Sequence, residues 1–246
     1  MSRIKFMNTE IDNLTMNEAL SVIDDLIRQN KNAYVVTPNV DHIVKLEVND
    51  ELMAAYSEAD LILADGMPLI WTSKLYHQPI KEKVSGSDLF PKLCELAAEH
   101  RYKMFFLGAK EGVAAKAAEN LKKLHPNLEI VGCYAPPLGF EKNSSELLKI
   151  EQLIKKTAPH ILILALGCPK QEIIAHQYRD VFRVPLVLCL GATLDFVAGN
   201  VKRAPRWMSN MGLEWLYRIY QEPSRMFKRY VMEDCRFMKL LVKYWR

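Results

Sequence analysis

The chain predicts an α/β fold: a mostly parallel sheet with helices on both faces, followed by a basic, amphipathic helical appendage at the C-terminus. Three observations predict it. Short, uniformly apolar runs recur through the first 199 residues, stretches of helical spacing separate them, and the last forty-seven residues change character. Residues 200–246 hold eleven Lys or Arg and four Asp or Glu, a local +7 in a chain whose total is +4. Residues 1–199 are left with 22 basic and 25 acidic side chains, a balance of −3.

In chain order, the apolar runs predict strands at 34–37, 61–64, 103–107, 129–133, 160–166 and 185–190. Their lack of polar alternation marks strands buried on both faces, as in a parallel sheet covered by crossover helices. Between them, helical spacing predicts helices at 87–101, 112–125, 144–157 and 169–182. Ser87 or Asp88 is placed to cap the first of these. Asn143 with Glu146 three residues later reads as a capping box, and Pro169 falls in a first turn. The sequence therefore divides into a core, 1–199, and an appendage, 200–246. The appendage is punctuated by Pro205 and Pro223, with a last helix starting near Pro223-Ser224.

At 246 residues, half hydrophobic and a quarter charged, the chain is ordinary globular material rather than a disordered one. Five scattered cysteines without Cys-x-x-Cys spacing fit reduced, buried thiols. The N-terminal residues lack the apolar core of a signal peptide. The longest apolar run, 161–166, falls far short of the roughly 18 residues of a spanning helix. Membrane contact, if made, is expected to be peripheral. The appendage interleaves its charge with Trp207, Trp215, Tyr217, Tyr220, Phe227, Tyr230, Phe237, Tyr244 and Trp245, a composition suited to an anionic surface. An ordinary amphipathic helix packed on the domain or in an oligomer is the competing reading.

Ligands of an open α/β sheet bind beyond the carboxyl ends of its strands. That rule selects Thr37, Asn39, Asp65, Gly108, Gln171, Glu172 and Asp195. No Gly-x-Gly-x-x-Gly or Walker A motif is present, which removes the main support for a dinucleotide or ATP. No Asp-x-Asp pair advertises a cation clamp, and the six histidines lack zinc-type spacing. Arginines are the obvious substitute for a metal on a diphosphate.

Asp65, at a strand's mouth, is either a general base with its pKa raised by burial or the cap of the next helix. Thr37 and Asn39 are ligand contacts or turn formers. Gln171 and Glu172 fit ligand recognition and dipole compensation equally. Asp195 is a second cleft acid or the partner of Arg203 or Arg206.

These residues lie in segments that together resemble the WecG/TagA/CpsF family of bacterial glycosyltransferases. The matching pieces are Thr37-Pro38-Asn39-Val40-Asp41-His42, Ala64-Asp65-Gly66-Met67-Pro68, Lys83-Val84-Ser85-Gly86-Ser87-Asp88, Phe106-Leu107-Gly108 and Gly167-Cys168-Pro169-Lys170-Gln171-Glu172. Gly191-Ala192-Thr193-Leu194-Asp195-Phe196, Arg203-Ala204-Pro205-Arg206-Trp207, Gly212 to Arg218, Glu222-Pro223-Ser224-Arg225 and Lys228-Arg229-Tyr230 follow in the expected order.

The resemblance implies a Rossmann-like, metal-independent, inverting transferase. It would move N-acetylmannosamine or a related sugar from a UDP donor to polyprenyl-diphosphate-linked N-acetylglucosamine, with the nearest likeness to the β-1,4 linkage-unit branch of teichoic acid synthesis. Asp65 is then the base, and Arg218 and Arg225 complete the site. Thr37, Asn39, Lys83, Gly108, Gln171, Glu172, Asp195, Arg203 and Arg206 are the expected substrate contacts. Lys83 stands where close relatives are expected to carry Arg, offering a point charge rather than a fork.

No cofactor beyond the UDP-sugar and no nucleic acid partner are implied. The expected location is the cytoplasmic face of the plasma membrane, and a homo-oligomer is left open. A UDP-N-acetylmannosaminuronic acid or UDP-glucose donor is the alternative within the family. A nucleotide-dependent oxidoreductase or a non-catalytic membrane-binding module is the alternative outside it.

Overall fold

The computed structural model describes residues 3–221, 223 and 236–245, with the side chains of Arg206 and Asn210 outside that description. An antiparallel hairpin, β1 (Arg3–Phe6) and β2 (Thr9–Asp12), comes first. Then follow α1 (Met16–Arg28), β3 (Ala33–Val36), α2 (Val40–Leu46), α3 (Asp50–Ser57), β4 (Leu61–Ile62), α4 (Met67–Leu75), α5 (Gly86–His100), β5 (Met104–Gly108), α6 (Val113–Leu124) and β6 (Ile130–Tyr134). The chain continues through α7 (Ser144–Thr157), β7 (Ile161–Ala165), α8 (Lys170–Gln177), α9 (Arg179–Phe182), β8 (Leu186–Cys189) and α10 (Thr193–Ala198). The C-terminal elements are α11 (Arg206–Asn210), α12 (Glu214–Gln221) and α13 (Arg236–Lys243).

The main sheet has six strands in the order β4-β3-β8-β7-β5-β6, every neighbouring pair parallel. All six predicted strands are in it. Pleating sends Tyr34, Val36, Phe105, Leu107, Leu162, Leu164 and Val187 into one core, and Val35, Met104, Phe106, Ile161, Ile163, Leu186 and Leu188 into the other. Burying each large side chain is worth about 1.5–3 kcal/mol, so the two-sided apolar pattern both forms the strands and fastens the helices over them. The chain leaves β5 outward to β6 but leaves β7 in the opposite direction to β8, so a crevice opens between β5 and β7.

Several element ends differ from expectation. Ser85, not Ser87 or Asp88, caps α5, accepting from the Asp88 amide at 3.2 Å. Asn143 caps α7, but Glu146 accepts from the Tyr134 hydroxyl instead of closing a reciprocal box. The single helix expected at 169–182 is two, α8 and α9, joined at Tyr178, with Pro169 capping α8 from outside. The hairpin covers the β4 edge: buried Asp12 accepts from Arg3 Nε at 3.0 Å and from the Ile62 amide at 2.8 Å, supplying an acceptor to an outer strand that lacks one.

The last helix does not stand apart from the body. Phe237 and Leu240 of α13 are buried in the core beside α2. Lys243 pairs with Glu47 at 2.5 Å, the Tyr244 hydroxyl donates to the same carboxylate at 2.7 Å, and the Tyr76 hydroxyl donates to the Leu241 carbonyl at 2.8 Å. Composition alone allows Phe237 and Tyr244 either an anionic surface or packing on the domain. Burial of one and hydrogen bonding of the other assign both to the protein. Met238, Val242 and Trp245 remain exposed.

A candidate active site at the strand ends

A cleft of about 1480 Å³ lies over the carboxyl ends of the sheet, lined from the loops after β3, β4, β5, β6, β7 and β8 and from α12. Its floor is hydrogen-bonded across strands. Thr37 Oγ donates to the Cys189 carbonyl at 3.3 Å. Asn39 caps α2, its Oδ1 accepting from the Asp41 amide at 3.1 Å and lying 2.9 Å from His42 Nδ1. His42 Nε2 stands 3.2 Å from Glu172 Oε1, which also accepts from Gln171 Nε2 at 2.7 Å. Gln171 Oε1 in turn accepts from the Gly191 amide at 3.0 Å. Burial opposes charging the His42 ring, but Cys168 and the Glu172 carboxylate outweigh it and hold its pKa well above the usual histidine value.

Asp65 lies in the loop three residues past the end of β4, its amide donating to the Pro38 carbonyl at 2.8 Å. It does not cap α4: Gly66 holds that position, at φ 113° and without a side-chain cap. The Asp65 carboxyl lines the cleft, and its pKa is pushed up to about 6. Burial is the main cause and the Glu214 carboxylate adds to it, while Arg218, Lys83 and His42 pull the other way.

The cleft's other wall comes from the appendage. Arg218 lines it, donating to Glu214 Oε1 at 2.8 Å through a terminal nitrogen and lying 5.2 Å from the centroid of the Phe196 ring. Ser209 Oγ donates to the other Glu214 oxygen at 3.0 Å. Besides the Arg218–Phe196 contact, two further attachments among the described residues join this wall to the body. Arg203 pairs with Asp88, which Lys83 also reaches at 3.1 Å and the Ser85 hydroxyl at 2.6 Å. Gly212, at φ 69°, fits under Trp71 of α4 so closely that a Cβ there would lie 2.4 Å from the indole.

Of the residues predicted as substrate contacts, Thr37, Asn39, Gln171 and Asp195 line the cleft with Asp65 and Arg218. Glu172 is fully buried and belongs to the hydrogen-bonded floor rather than to the lining. Gly108 sits where a Cβ would meet the Ala165 carbonyl at 2.4 Å, so its residue type is set by the approach of β7, and the neighbouring Ala109 and Lys110 line the cleft instead. Lys83 and Arg203 are engaged with Asp88 at the wall's base. Arg225 lies outside the described residues, as does the side chain of Arg206.

The sequence reading assigned no role to His42, Lys45, Cys168 or Glu214. An available signal was the Asn39-x-x-His42 spacing, which is that of a capping box. Asp41, His42 and Cys168 hold donor atoms within 4.8 Å of one another. Those donors are engaged internally: Lys45 Nζ lies 2.9 Å from Asp41 Oδ2, and both His42 nitrogens have partners.

With its ligand crevice at the carboxyl ends of a parallel sheet, the molecule has the build of an α/β enzyme, and comparison with known proteins supplies the class: a glycosyltransferase. The chain belongs to the glycosyl transferase WecG/TagA/CpsF family, whose model matches residues 4–246. It is 33% identical over 225 residues to the N-acetylglucosaminyldiphosphoundecaprenol N-acetyl-beta-D-mannosaminyltransferase of Bacillus spizizenii (strain W23), covering 92% of this chain and 84% of that protein. It is 32% identical over 169 residues to the protein of the same name from Bacillus subtilis (strain 168), covering 69% and 64% of the two chains.

Proposed function

We propose that this glycosyltransferase moves N-acetylmannosamine from UDP-N-acetylmannosamine to the C4 hydroxyl of N-acetylglucosamine carried on a polyprenyl diphosphate, inverting the anomeric centre to a β-1,4 bond. The product would feed teichoic acid or a related cell-surface polymer. The acceptor and sugar are those in the relatives' names. The observation that carries the mechanism is Asp65: a carboxyl on the cleft surface, with a pKa raised to about 6, beside cationic groups.

The acceptor oxygen attacks the anomeric carbon as Asp65 takes its proton, and the carbon–oxygen bond to the diphosphate breaks on the opposite face, releasing UDP. Base assistance of this kind is worth about 10²–10⁴-fold. The charge left on UDP falls to Arg218, with Arg225 as its expected companion, in the place a metal would otherwise take. Thr37, Asn39, Gln171 and Asp195 bind the substrates, and the wall formed by α12 limits water that would otherwise hydrolyse the donor.

Among the described residues no helix is long and apolar enough to cross a membrane. The lipid-linked acceptor is met, in this reading, at the cytoplasmic face of the plasma membrane. Exposed Trp207, Met211 and Tyr220, with Met238, Val242 and Trp245, give the appendage an apolar surface among basic residues.

The test is UDP release from UDP-N-acetylmannosamine with a short-chain lipid-diphosphate N-acetylglucosamine, in EDTA, for the native chain and Asp65→Asn. Acceptor-dependent release lost in the variant is expected. Equal release by both proteins removes Asp65 from the chemistry. Release only with UDP-N-acetylmannosaminuronic acid or UDP-glucose reassigns the donor.

A further inference from the structure

Beneath the cleft, one continuous hydrogen-bonded chain joins three strand-end loops. It runs from the Asn39 side chain to His42 Nδ1 (2.9 Å) and from His42 Nε2 to Glu172 Oε1 (3.2 Å). It continues from Glu172 to Gln171 Nε2 (2.7 Å) and from Gln171 Oε1 to the Gly191 amide (3.0 Å). Asn39, His42 and Gln171 all line the cleft, His42 and Gln171 with little exposure, and Glu172 is fully buried beneath them.

The chemistry of each link restricts the next. A carboxylate only accepts, so Glu172 Oε1 orients both the His42 Nε2–H and the Gln171 amide nitrogen toward itself. With its nitrogen so committed, Gln171 turns its oxygen to Gly191. On the other side, Asn39 Oδ1 accepts from the Asp41 amide, so it is the acceptor end of the Asn39 amide that meets His42 Nδ1. The Asn39 backbone N–H also points at His42 Nδ1, at 3.3 Å, so the ring is held by both the backbone and the side chain of Asn39 while Nε2 meets Glu172. The groups around the ring are Asn39 and Asp41 with its partner Lys45 on α2, Tyr56 on α3, Cys168 in the loop after β7, Glu172 on α8, and Asp65 after β4.

We propose that His42, anchored by Glu172, is a positioning residue that sets the Asn39 and Gln171 side chains as one unit, so that the two cleft contacts cannot be oriented independently. The inference rests on the reading above in taking Asn39 and Gln171 as donor-sugar contacts, and it reassigns Glu172 from substrate contact to anchor. Glu172 lies beneath the cleft lining and acts through His42 and Gln171.

Two measurements separate this proposal from the function it rests on. The first needs no ligand: the side-chain amide resonances of Asn39 and Gln171, followed by NMR in the native chain and in Glu172→Gln, an isosteric change. Glu172 Oε2 has no hydrogen-bond partner among the described residues, so Gln can replace Glu without disturbing a contact at that oxygen. Both amides are expected to shift together. If only Gln171 responds, the chain does not extend to Asn39 and the proposal is wrong, whatever the enzyme's substrates.

The second is a double-mutant cycle on kcat and KM for UDP-N-acetylmannosamine with His42→Gln, Asn39→Ala and the pair. A hydrogen bond involving a charged group is worth roughly tenfold, so His42→Gln should lose about tenfold in kcat/KM, chiefly through KM, when measured well below the variant's melting temperature. The pair should lose no more than Asn39→Ala alone. Losses that multiply would mean His42 acts apart from Asn39 and overturn the proposal. Absence of turnover by the native chain would count against the proposed reaction and leave the NMR result to decide the network.

Discussion

The floor and the outer wall of the cleft are built by opposite means. The floor rests on parallel strands buried on both faces, and its polar groups are joined by hydrogen bonds between buried or half-buried partners. The wall of α11 and α12 has no fully buried helix residue in α12, and its described attachments include an Asp88 ion cluster, the Arg218–Phe196 contact and one close-packed glycine. Opening the floor means breaking a sheet; releasing the wall means breaking a few partly solvated contacts, which places it at the low-stability end of the fold. The contrast places Asp65 and the hydrogen-bonded groups around it on the stiff part, and Arg218 with the enclosure on the part that can be displaced.

The most damaging way to break the floor is at Asp65. Asp65→Asn should lower kcat by about 10²–10⁴-fold, read as acceptor-dependent UDP release. For the native chain, kcat/KM should rise about tenfold per pH unit up to about 6 and level off above it, because the base must be ionised. Stability has the opposite sign. The folded state keeps the Asp65 proton to about 6, while the unfolded chain loses it near 3.8, so the folded state holds more protons between these values. Stability from this group therefore falls as pH rises through that window, and Asp65→Asn should melt higher than the native chain at pH 7. A variant that is both inactive and less stable would mean Asp65 is structural.

The wall should fail differently. Gly212→Val drives a side chain into Trp71 and should displace α12, costing about 10- to 100-fold in kcat while urea unfolding of the sheet stays near native; displacement of about an ångström is enough for such a loss. Phe237→Ala removes a buried anchor of α13 and should cost about 3 kcal/mol in urea unfolding, against little change in kcat measured well below the melting temperature. Asp88→Asn weakens the Arg203 and Lys83 cluster. Asp88 is a third exposed, so the change in stability should stay within about 1 kcal/mol, and the effect should fade in high salt.

The sheet was legible because its strands carry their burial pattern within themselves: residues 161–165 have no polar neighbour to set a face, and both faces are indeed covered. The rule that ligands sit at strand ends then located Thr37, Asn39, Asp65, Gln171 and Asp195 with no contact information. What escaped depended on partners far along the chain. Glu172 reads as a first-turn acid of α8 until His42, 130 residues away, is seen against it. Gly108 reads as a ligand approach until Ala165 is seen above it. The same limit applied to α13, whose basic amphipathic pattern fits a lipid surface and a protein surface equally; only the contacts of Phe237 and Leu240 distinguish them.

The place of Glu214 gives the cleft a built-in bookkeeping of protons. Arg218 neutralises Glu214 and also opposes the rise in Asp65's proton affinity, so one guanidinium serves two carboxyls. An anion that draws Arg218 away leaves both carboxyls less compensated and adds negative charge of its own. Asp65 then holds its proton more tightly, and near pH 6 an anion-bound cleft takes up a fraction of a proton from solution. By reciprocity, a mildly acidic medium favours anion binding as much as the anion favours the proton.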